Sequence, residues 1–305
     1  MKWSIHILDK SDELAWVEDL QRKVWPGSET DVVPAAMLLA AVHGGGIVIG
    51  AFAPAPEDPG EFPARPQGGG ENLVGAVFGF PGFYHTADGP RLKHCSHMLG
   101  VLPEYRSQGL GFVLKRAQWQ MVRKQGIDRI TWTYDPLLSL NAFLNISRLG
   151  AVCNTYLPNF YGDMRDGLNA GLPSDRFEVD WWVNSQRVNH RLSRRARRKV
   201  DLLHMLAAGA KILNEAWFDR DDWPHPNQTP AQPNDPPDTF MLVEIPADFL
   251  ALKAANLELA LEWRLHSRAL FIDLFQRGYL ATDFIYQTGP LPRSYYVFTH
   301  GDSTL

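Results

Sequence analysis

The chain has 305 residues with a formal net charge of −4, and 45% of the residues are hydrophobic. That length supports two domains with sizeable cores, and the slightly acidic balance excludes a protein that coats nucleic acid through bulk positive charge. Cys95 and Cys153 are the only cysteines, which excludes a disulfide framework and is typical of a reducing compartment. The N-terminus lacks the basic and apolar order of a signal peptide, so a cytoplasmic protein is expected.

Hydrophobic spacing, glycines and prolines divide residues 1–184 into alternating strands and helices. Ser11 is predicted to be the N-cap of the first helix. The segment Pro54–Gly70 is rich in proline and glycine, which predicts a long exposed loop, either covering a substrate or serving as an inert insertion. In chain order the pattern predicts a strand at Trp3–Leu8, helices at Ser11–Trp25 and Val33–Val42, strands at Ile47–Phe52, Leu73–Phe80 and Leu92–Leu102, a helix beginning at Leu110, a strand at Ile127–Tyr134, a helix at Ser139–Leu149, and strands at Ala151–Tyr156 and Phe177–Val183.

The stretch Ala35–Ala53 carries no formal charge over 19 residues, which is barely enough to span a bilayer. His43 and three successive glycines lie in its middle, and Pro34 suits the first turn of a helix. We therefore interpret the stretch as a helix, a glycine stop and a strand, and expect no membrane partner.

The chain changes character after Asn184, so we predict a first domain over residues 1–184 and a second α/β domain over residues 185–305. Trp223–Asp238 holds six prolines and is predicted to be irregular. This half carries no assignable motif, and its strand–helix–strand pattern leaves open a degenerate second copy of the first fold. Its predicted elements are strands at Lys211–Phe218, Thr239–Ile245, Leu280–Tyr286 and Tyr295–Thr299, and one long amphipathic helix over Ala247–Arg277.

The rest of the chain is organised around the stretch Leu92–Gly126. A strand-like run ends at Leu102, and the loop that follows carries Arg106, Gly109 and Gly111 directly before a helical pattern. This arrangement suits a phosphate, because free N–H groups and the helix dipole favour an anion at a helix start. The two glycines permit close approach of the main chain, and Arg106 adds a planar positive group. The helical pattern places Leu110, Val113, Leu114, Ala117 and Met121 on one face, at spacings of three and four residues.

A G-x-G turn before a helix also occurs in dinucleotide-binding folds, but Leu114 stands where their third glycine would be. The segment Val101–Gly111 reads V-L-P-E-Y-R-S-Q-G-L-G and resembles the acyl-CoA-binding signature V-x-P-x-x-R/Q-x-x-G-x-G/A of the GNAT superfamily of N-acetyltransferases. The predicted order βααβββαβαββ, with the turn after the fourth strand, is also the order of that fold. The resemblance implies a mixed, mostly antiparallel sheet flanked by helices over about residues 1–184.

The resemblance also implies a cofactor. Coenzyme A, as acetyl-CoA, would be the co-substrate and would enter between the fourth and fifth strands. Its pantetheine arm would pair with main chain at Leu99 and Val101, and its pyrophosphate would bind the amides of residues 108–111, with Ser107 nearby.

A second family motif, N-x-x-A-x-x-x-Y-x-x-x-G-F, is matched in part by the helix after the fifth strand. Ser139 replaces its asparagine, and Asn141 and Asn145 lie close enough in sequence to supply the amide. Ile146 replaces its tyrosine, and Ala151 replaces its phenylalanine. The cofactor-binding residues that the resemblance implies are Leu99, Val101, Arg106, Ser107, Gln108, Gly109, Leu110, Gly111, Ser139, Asn141 and Asn145.

The missing tyrosine matters because, in many relatives, that phenol protonates the leaving thiolate. Tyr134, Tyr156 and Tyr161 lie near the predicted cleft; packing is the plain interpretation of each, and Tyr161 is the candidate acid. An acceptor amine must be neutral to attack a thioester, and His97 is the candidate base, since imidazole titrates near neutrality. The alternative for His97 is a strand histidine bonded into the core or to solvent.

No metal site is predicted. His94 and His97 are three residues apart on a strand and should point to opposite faces, which argues against a two-histidine site. The sequence has no H-E-x-x-H and no cysteine pair. The basic run Arg187–Lys199 is read either as a solvated helix face or as a site for polyanions such as RNA. Few aromatic residues interleave with it, so no nucleic-acid partner is expected.

The leading hypothesis is an acyl-CoA-dependent N-acyltransferase, with acetyl as the acyl group, in which an acceptor amine attacks the thioester directly. The acceptor would be a small molecule or peptide with an apolar part. The alternative is a non-catalytic protein that binds acyl-CoA as a sensor or scaffold. A third possibility is RNA acetylation that uses the arginine run, which predicts RNA binding that weakens steeply with salt.

Overall fold

The computed structural model describes residues 3–27, 29–54, 71–164, 170–193, 200–227 and 238–301. The chain divides into two compact units. The first holds Met1–Trp132, and the second holds Thr133–Met164 and Leu168–Leu305. The boundary predicted at residue 184 falls inside the second unit. The predicted loop Pro54–Gly70 lies outside the described residues except for Pro54, so its role stays a prediction.

Among the described residues, five strands and three α-helices build the first unit, and they follow the predicted order. Its strands lie in the order β1-β2-β3-β4-β5, and every neighbouring pair is antiparallel except β4 and β5, which are parallel. The stretch Ala35–Ala53 is a helix, a glycine turn and a strand, as predicted. The elements are β1 (Ser4–Ile7), α1 (Ser11–Val24), α2 (Ala35–His43), β2 (Ile47–Pro54), β3 (Glu71–Thr86), β4 (Gly89–Val101), α3 (Leu110–Lys124) and β5 (Arg129–Tyr134), whose last two residues belong to the second unit.

The start of α1 differs from the prediction. Lys10 is its N-cap, with no side-chain cap, and Ser11 is already helical. The Glu13 carboxylate instead accepts a hydrogen bond from the Asp9 N–H at 3.4 Å. An acidic side chain in the first turn therefore binds back to the preceding main chain, a place where negative charge also suits the helix dipole.

Apolar burial holds this unit together. α1 turns Leu14, Val17, Leu20 and Val24 inward at spacings of three and four residues, and all four are buried. Residues 47–53 of β2 are buried without alternation, as expected for a strand covered on both faces. Each fully buried leucine contributes about 2 kcal/mol of burial free energy.

The long β3–β4 hairpin contains a β-bulge. Phe78 lies opposite Met98, but its neighbour Gly79 lies opposite Ser96, so His97 is the extra residue on β4. The sequence pattern did not predict this bulge. It positions His97 at the point where β4 changes its pairing.

The second unit is also α/β. Its strands lie in the order β7-β6-β12-β13-β11-β8, antiparallel except for β8 and β11, and β9 and β10 form a separate pair. The elements are α4 (Ser139–Ala142), a π-helix (Phe143–Arg148), β6 (Val152–Leu157), β7 (Arg176–Trp182), α5 (Gln186–Leu192), α6 (Leu202–Ala207), β8 (Lys211–Ile212), β9 (Trp217–Phe218), β10 (Pro224–His225), β11 (Phe240–Ile245), α7 (Phe249–Ala255), α8 (Leu257–Gln276), β12 (Leu280–Gln287) and β13 (Arg293–Thr299).

Two predictions for this unit were wrong in detail. The single helix over Ala247–Arg277 is two helices, α7 and α8, because Asn256 leaves the helical conformation and its side chain accepts a hydrogen bond from the Leu259 N–H at 3.0 Å. An asparagine in that role starts a new helix. The strand predicted over Lys211–Phe218 is only the short β8 and β9. The mixed α/β class itself is confirmed.

Buried ion pairs tie the second unit together. The Arg264 guanidinium donates to both carboxylate oxygens of Asp135, and the Arg264 side chain is only 2% exposed. Arg268 donates to both oxygens of Asp175 at 2.8 Å. Removing one member of such a pair would leave the charge of the other without a partner, which is strongly destabilising. The two pairs therefore stabilise the packing of the elements around them. No helix among the described residues is long and apolar enough to cross a membrane.

Candidate functional site

The turn between β4 and α3 has an unusual backbone. Ser107 has φ 58° and Gly109 has φ 87°, both in the left-handed region. Glycine is suited to that conformation at residue 109 because it has no Cβ. The Gln108 side chain donates to the Glu104 carbonyl at 2.9 Å and holds the turn closed. At Ser107 and Gly109 the backbone of this turn is therefore neither α-helical nor extended.

The second feature of this turn is its backbone N–H groups. Gly109 is the N-cap of α3 and offers no side-chain cap. Within the described ranges, no protein acceptor binds the N–H groups of residues 108–111, and the first helical bond runs from Val113 to the Gly109 carbonyl. Unpaired N–H groups at the start of a 15-residue helix carry the positive end of its dipole. An anion is the natural ligand for such a turn.

Arg106 supports the turn from the side. Its Nε donates to the Val101 carbonyl at 3.1 Å, and one Nη donates to the Val24 carbonyl at 3.4 Å. The guanidinium thus joins the end of β4 to the end of α1. It remains exposed, so its positive charge still adds to the potential at the turn.

The β4–β5 pairing ends well before β4 itself ends at Val101. It joins His94 to Ile130 and Cys95 to Thr131, and the ladder stops before Ser96 and Trp132. The Lys115 Nζ of α3 contacts both of those side chains, donating to the Ser96 hydroxyl at 2.8 Å and lying 3.6 Å from the centre of the Trp132 ring. A buried amine therefore lies where the two parallel strands cease to pair.

That amine belongs to a buried polar chain. The Ser96 hydroxyl donates to the Gln118 amide oxygen at 2.9 Å, and the Gln118 amide nitrogen lies 3.2 Å from His94 Nε2. Because an amide nitrogen only donates, His94 Nε2 accepts and the imidazole proton lies on Nδ1. His94 Nδ1 has no hydrogen-bond partner in the part of the chain that the structure describes. Burial lowers the pKa of Lys115 well below its usual range.

His97 has the opposite environment. It is exposed on the wall of a cleft of about 590 Å³, which is formed by residues at the start of α2 and by β3 and β4. The rings of Phe78 and Phe80 lie 5.9 and 6.0 Å from its imidazole. This partial desolvation lowers the pKa of His97 below its usual value, so a neutral imidazole faces the cleft at pH 7. The two histidines do face opposite sides, as predicted.

The first unit therefore brings together one group of predicted residues: His97 and the main chain of Leu99 and Val101 on β4, then residues 106–111 on the turn. The second unit holds the others. Ser139 is buried, and its hydroxyl lies 2.8 Å from that of Ser294. Asn145 is buried in the π-helix, whereas Asn141 is exposed.

Tyr161 in the second unit is half exposed, with its hydroxyl 2.8 Å from Thr133 Oγ1. The other two tyrosines have packing roles: Tyr134 is buried with its hydroxyl 3.0 Å from that of Tyr296, and Tyr156 donates to Asp175. The catalytic assignment of Tyr161 stays a prediction.

Arg187 and Arg191 of the basic run fit neither the solvated helix face nor the polyanion site. Arg187 donates to the carbonyls of Gly150 and Thr282, and Arg191 donates to the Ser147 carbonyl and the Asp283 carboxylate. These two side chains bind groups within their own unit instead of forming a solvated face. Residues 194–199 lie outside the described part of the chain.

The sequence pattern did not single out three residues of this unit as candidates. Lys115 and Gln118 belong to the buried polar chain, and Asp31 lines the same cleft as His97. In α3 the residues Leu110, Leu114, Gln118 and Val122 form a continuous series four residues apart, and all are buried together with Lys115. This spacing was available in the sequence and would have placed Gln118 inside the unit. In the parts of the chain that the structure describes, no three potential ligands from His, Cys, Asp and Glu lie together as a metal site.

No family model matches the sequence, and no curated protein matches it. Among solved structures, NAA60 of Arabidopsis thaliana in complex with a bisubstrate analogue is similar at 18% identity and a TM-score of 0.43, over 60% of this chain and 99% of that chain. A putative acetyltransferase of the GNAT family from Desulfovibrio desulfuricans is similar at 13% identity and a TM-score of 0.41, over 59% and 99%. An aminoglycoside 6'-acetyltransferase type Ii is similar at 18% identity and a TM-score of 0.42, over 60% and 99%.

Of these three solved structures, two are named as acetyltransferases, and one of those two is a putative member of the GNAT family, whose signature the segment Val101–Gly111 resembles.

Proposed function

We propose that this protein is an acyl-CoA-dependent N-acyltransferase, with acetyl-CoA as the acyl donor. The observation that carries the proposal is the turn at residues 107–111, whose amides have no acceptor among the described residues and lie at the start of α3. A diphosphate matches such a group of donors in both charge and geometry. The β4–β5 ladder ends at Cys95, and β4 continues from there to Val101 before the turn, which supports the proposal that the rest of the cofactor follows β4.

The reaction needs few side chains. The acceptor nitrogen forms a bond to the thioester carbonyl carbon, the C–S bond breaks, and the thiolate takes a proton from water and leaves as coenzyme A. Main-chain N–H groups near Leu99 and Val101 would stabilise the negative charge that develops on the carbonyl oxygen. His97 would accept the proton that the attacking nitrogen loses, since its imidazole is neutral at pH 7 and faces the cleft.

The test measures binding and turnover separately. Calorimetry with acetyl-CoA and with coenzyme A tests the turn, and release of free thiol in the presence of an amine panel tests transfer. Gly109→Glu should weaken binding by more than about tenfold, because it places bulk and negative charge against the diphosphate.

The matched control is Gly126→Glu. Gly126 also has a left-handed backbone, at φ 75°, with open space around it, but it lies at the other end of α3. Gly126→Glu adds the same charge and a comparable backbone strain, but away from the turn. This variant should therefore bind acetyl-CoA as wild type does. Equal binding by Gly109→Glu and wild type would overturn the placement of the cofactor. Tight binding without thiol release across the panel would replace the transferase with the non-catalytic sensor.

A further inference from the structure

We propose that the cleft beside His97 binds the acceptor, and that this acceptor is a small primary amine whose body is aromatic or branched aliphatic. Asp31 would hold its ammonium group, and the apolar wall would hold its body. This inference rests on the proposed function, because it names the substrate that the same site would acylate.

The wall of the cleft is apolar and accessible. Met37 is 60% exposed and Phe80 is 37% exposed, and Phe78 and Pro34 complete the surface around them. Binding of a ligand that removes this exposed apolar area from water is favourable in free energy. A volume of about 590 Å³ lies in the range of pockets that bind small molecules. A ligand that fills this space therefore needs an apolar body.

The charge of the cleft restricts the head group. Among the lining residues, only Asp31 and His97 have side chains that form strong hydrogen bonds. Asp31 is exposed, and no described residue pairs with its carboxylate. One carboxylate attracts one ammonium group and repels a ligand that carries its own carboxylate. A second ammonium group, as in a polyamine, would meet the apolar wall without a partner.

His97 then has a defined place in recognition. Its ring packs against Phe78 and Phe80, whose own centroids are 5.8 Å apart, so the exposed imidazole is part of the apolar wall of the cleft. The proton acceptor and the ammonium-binding carboxylate line the same cleft. A ligand bound in this way would present its nitrogen to His97 inside the cleft instead of in bulk water.

The first experiment measures ligand binding by calorimetry, without acetyl-CoA. The probes are phenethylamine, 2-phenylethanol, which has the same body without the charge, and spermidine. Wild type should bind phenethylamine about tenfold more tightly than either of the other two. Asp31→Asn should remove the preference for the amine over the alcohol and leave alcohol binding intact. The control Asp12→Asn removes an exposed carboxylate of α1 outside the cleft and should change neither.

Two results would overturn the inference: spermidine binding as tightly as phenethylamine, or an unchanged preference in Asp31→Asn. A second experiment separates this failure from failure of the proposed function. Thiol release from acetyl-CoA with spermidine but not with phenethylamine would keep the transferase and reject the apolar amine. The expected pattern of amine binding in a protein that does not bind acetyl-CoA would reject the transferase and support the ligand class of the cleft.

Discussion

His94 should make the protein lose stability in mild acid. Its imidazole is fully buried, its Nε2 accepts from the Gln118 amide, and its Nδ1 has no partner among the described residues. A proton added at Nε2 would point at a donor and not at an acceptor. Burial, together with the nearby Lys115 amine, lowers the pKa of His94 from 6.5 to about 4. The folded state therefore disfavours the imidazolium.

The sign and size of the effect follow from this pKa. The unfolded chain binds a proton near pH 6.5 and the folded chain only near pH 4, so stability falls as pH decreases through that window. The full loss corresponds to about 3 kcal/mol below pH 4, and to about 2 kcal/mol between pH 7 and pH 5. This is a substantial share of the stability of an ordinary domain.

Urea unfolding followed by tryptophan fluorescence, at pH 7 and at pH 5, measures this loss. His94→Gln keeps a neutral acceptor near Gln118 and has no proton to gain, so between the two pH values it should lose about 2 kcal/mol less than wild type. His85→Gln removes an exposed imidazole of the β3–β4 hairpin and should behave as wild type does. If His94→Gln and wild type lose the same free energy of unfolding, the buried neutral imidazole is refuted.

Three further substitutions test other parts of the structure. His97→Ala should lower kcat at neutral pH by about 10²- to 10⁴-fold, and a pH–rate profile of unchanged shape would remove His97 from the mechanism. Gly79→Ala should destabilise the protein by about 1–3 kcal/mol in urea, because its Cβ would lie 2.3 Å from the His94 ring and 2.6 Å from a main-chain oxygen; Gly289→Ala, in open space, should be neutral. Asn256→Ala should cost about 1 kcal/mol through loss of the α8 cap, and an unchanged urea midpoint would show that the cap contributes nothing.

Much of the first unit could be predicted because its signals are local. Apolar spacing in α1 and α3, the glycine stop after α2 and the turn before Gly109 each depend on neighbouring residues. The order of elements up to β7 followed from these signals. The helix before Gly150 was found in the same way, since a glycine with φ 79° ends it.

What could not be predicted depends on distant residues. The π-helix at Phe143–Arg148 has no local signature that separates it from an α-helix. The buried positions of Lys115 and His94 depend on one hydrogen-bonded chain through Ser96 and Gln118, which no reading of single segments assembles. Arg187 and Arg191 looked like a solvated charge run because their acceptors lie far away in sequence.

The bulge at His97 has a consequence for counting along β4. Ser96 contacts α3 through Gln118, whereas the main chain of Gly100 faces Trp25 at the end of α1, although the two residues are an even number apart. On an uninterrupted strand they would share a face. An alignment that runs straight through residue 97 onto a relative with a regular strand would therefore match inward with outward positions at every later residue of β4. A single gap at residue 97 restores the correspondence, and deleting residue 97 from this chain would leave the later residues of β4 on the faces that they already occupy.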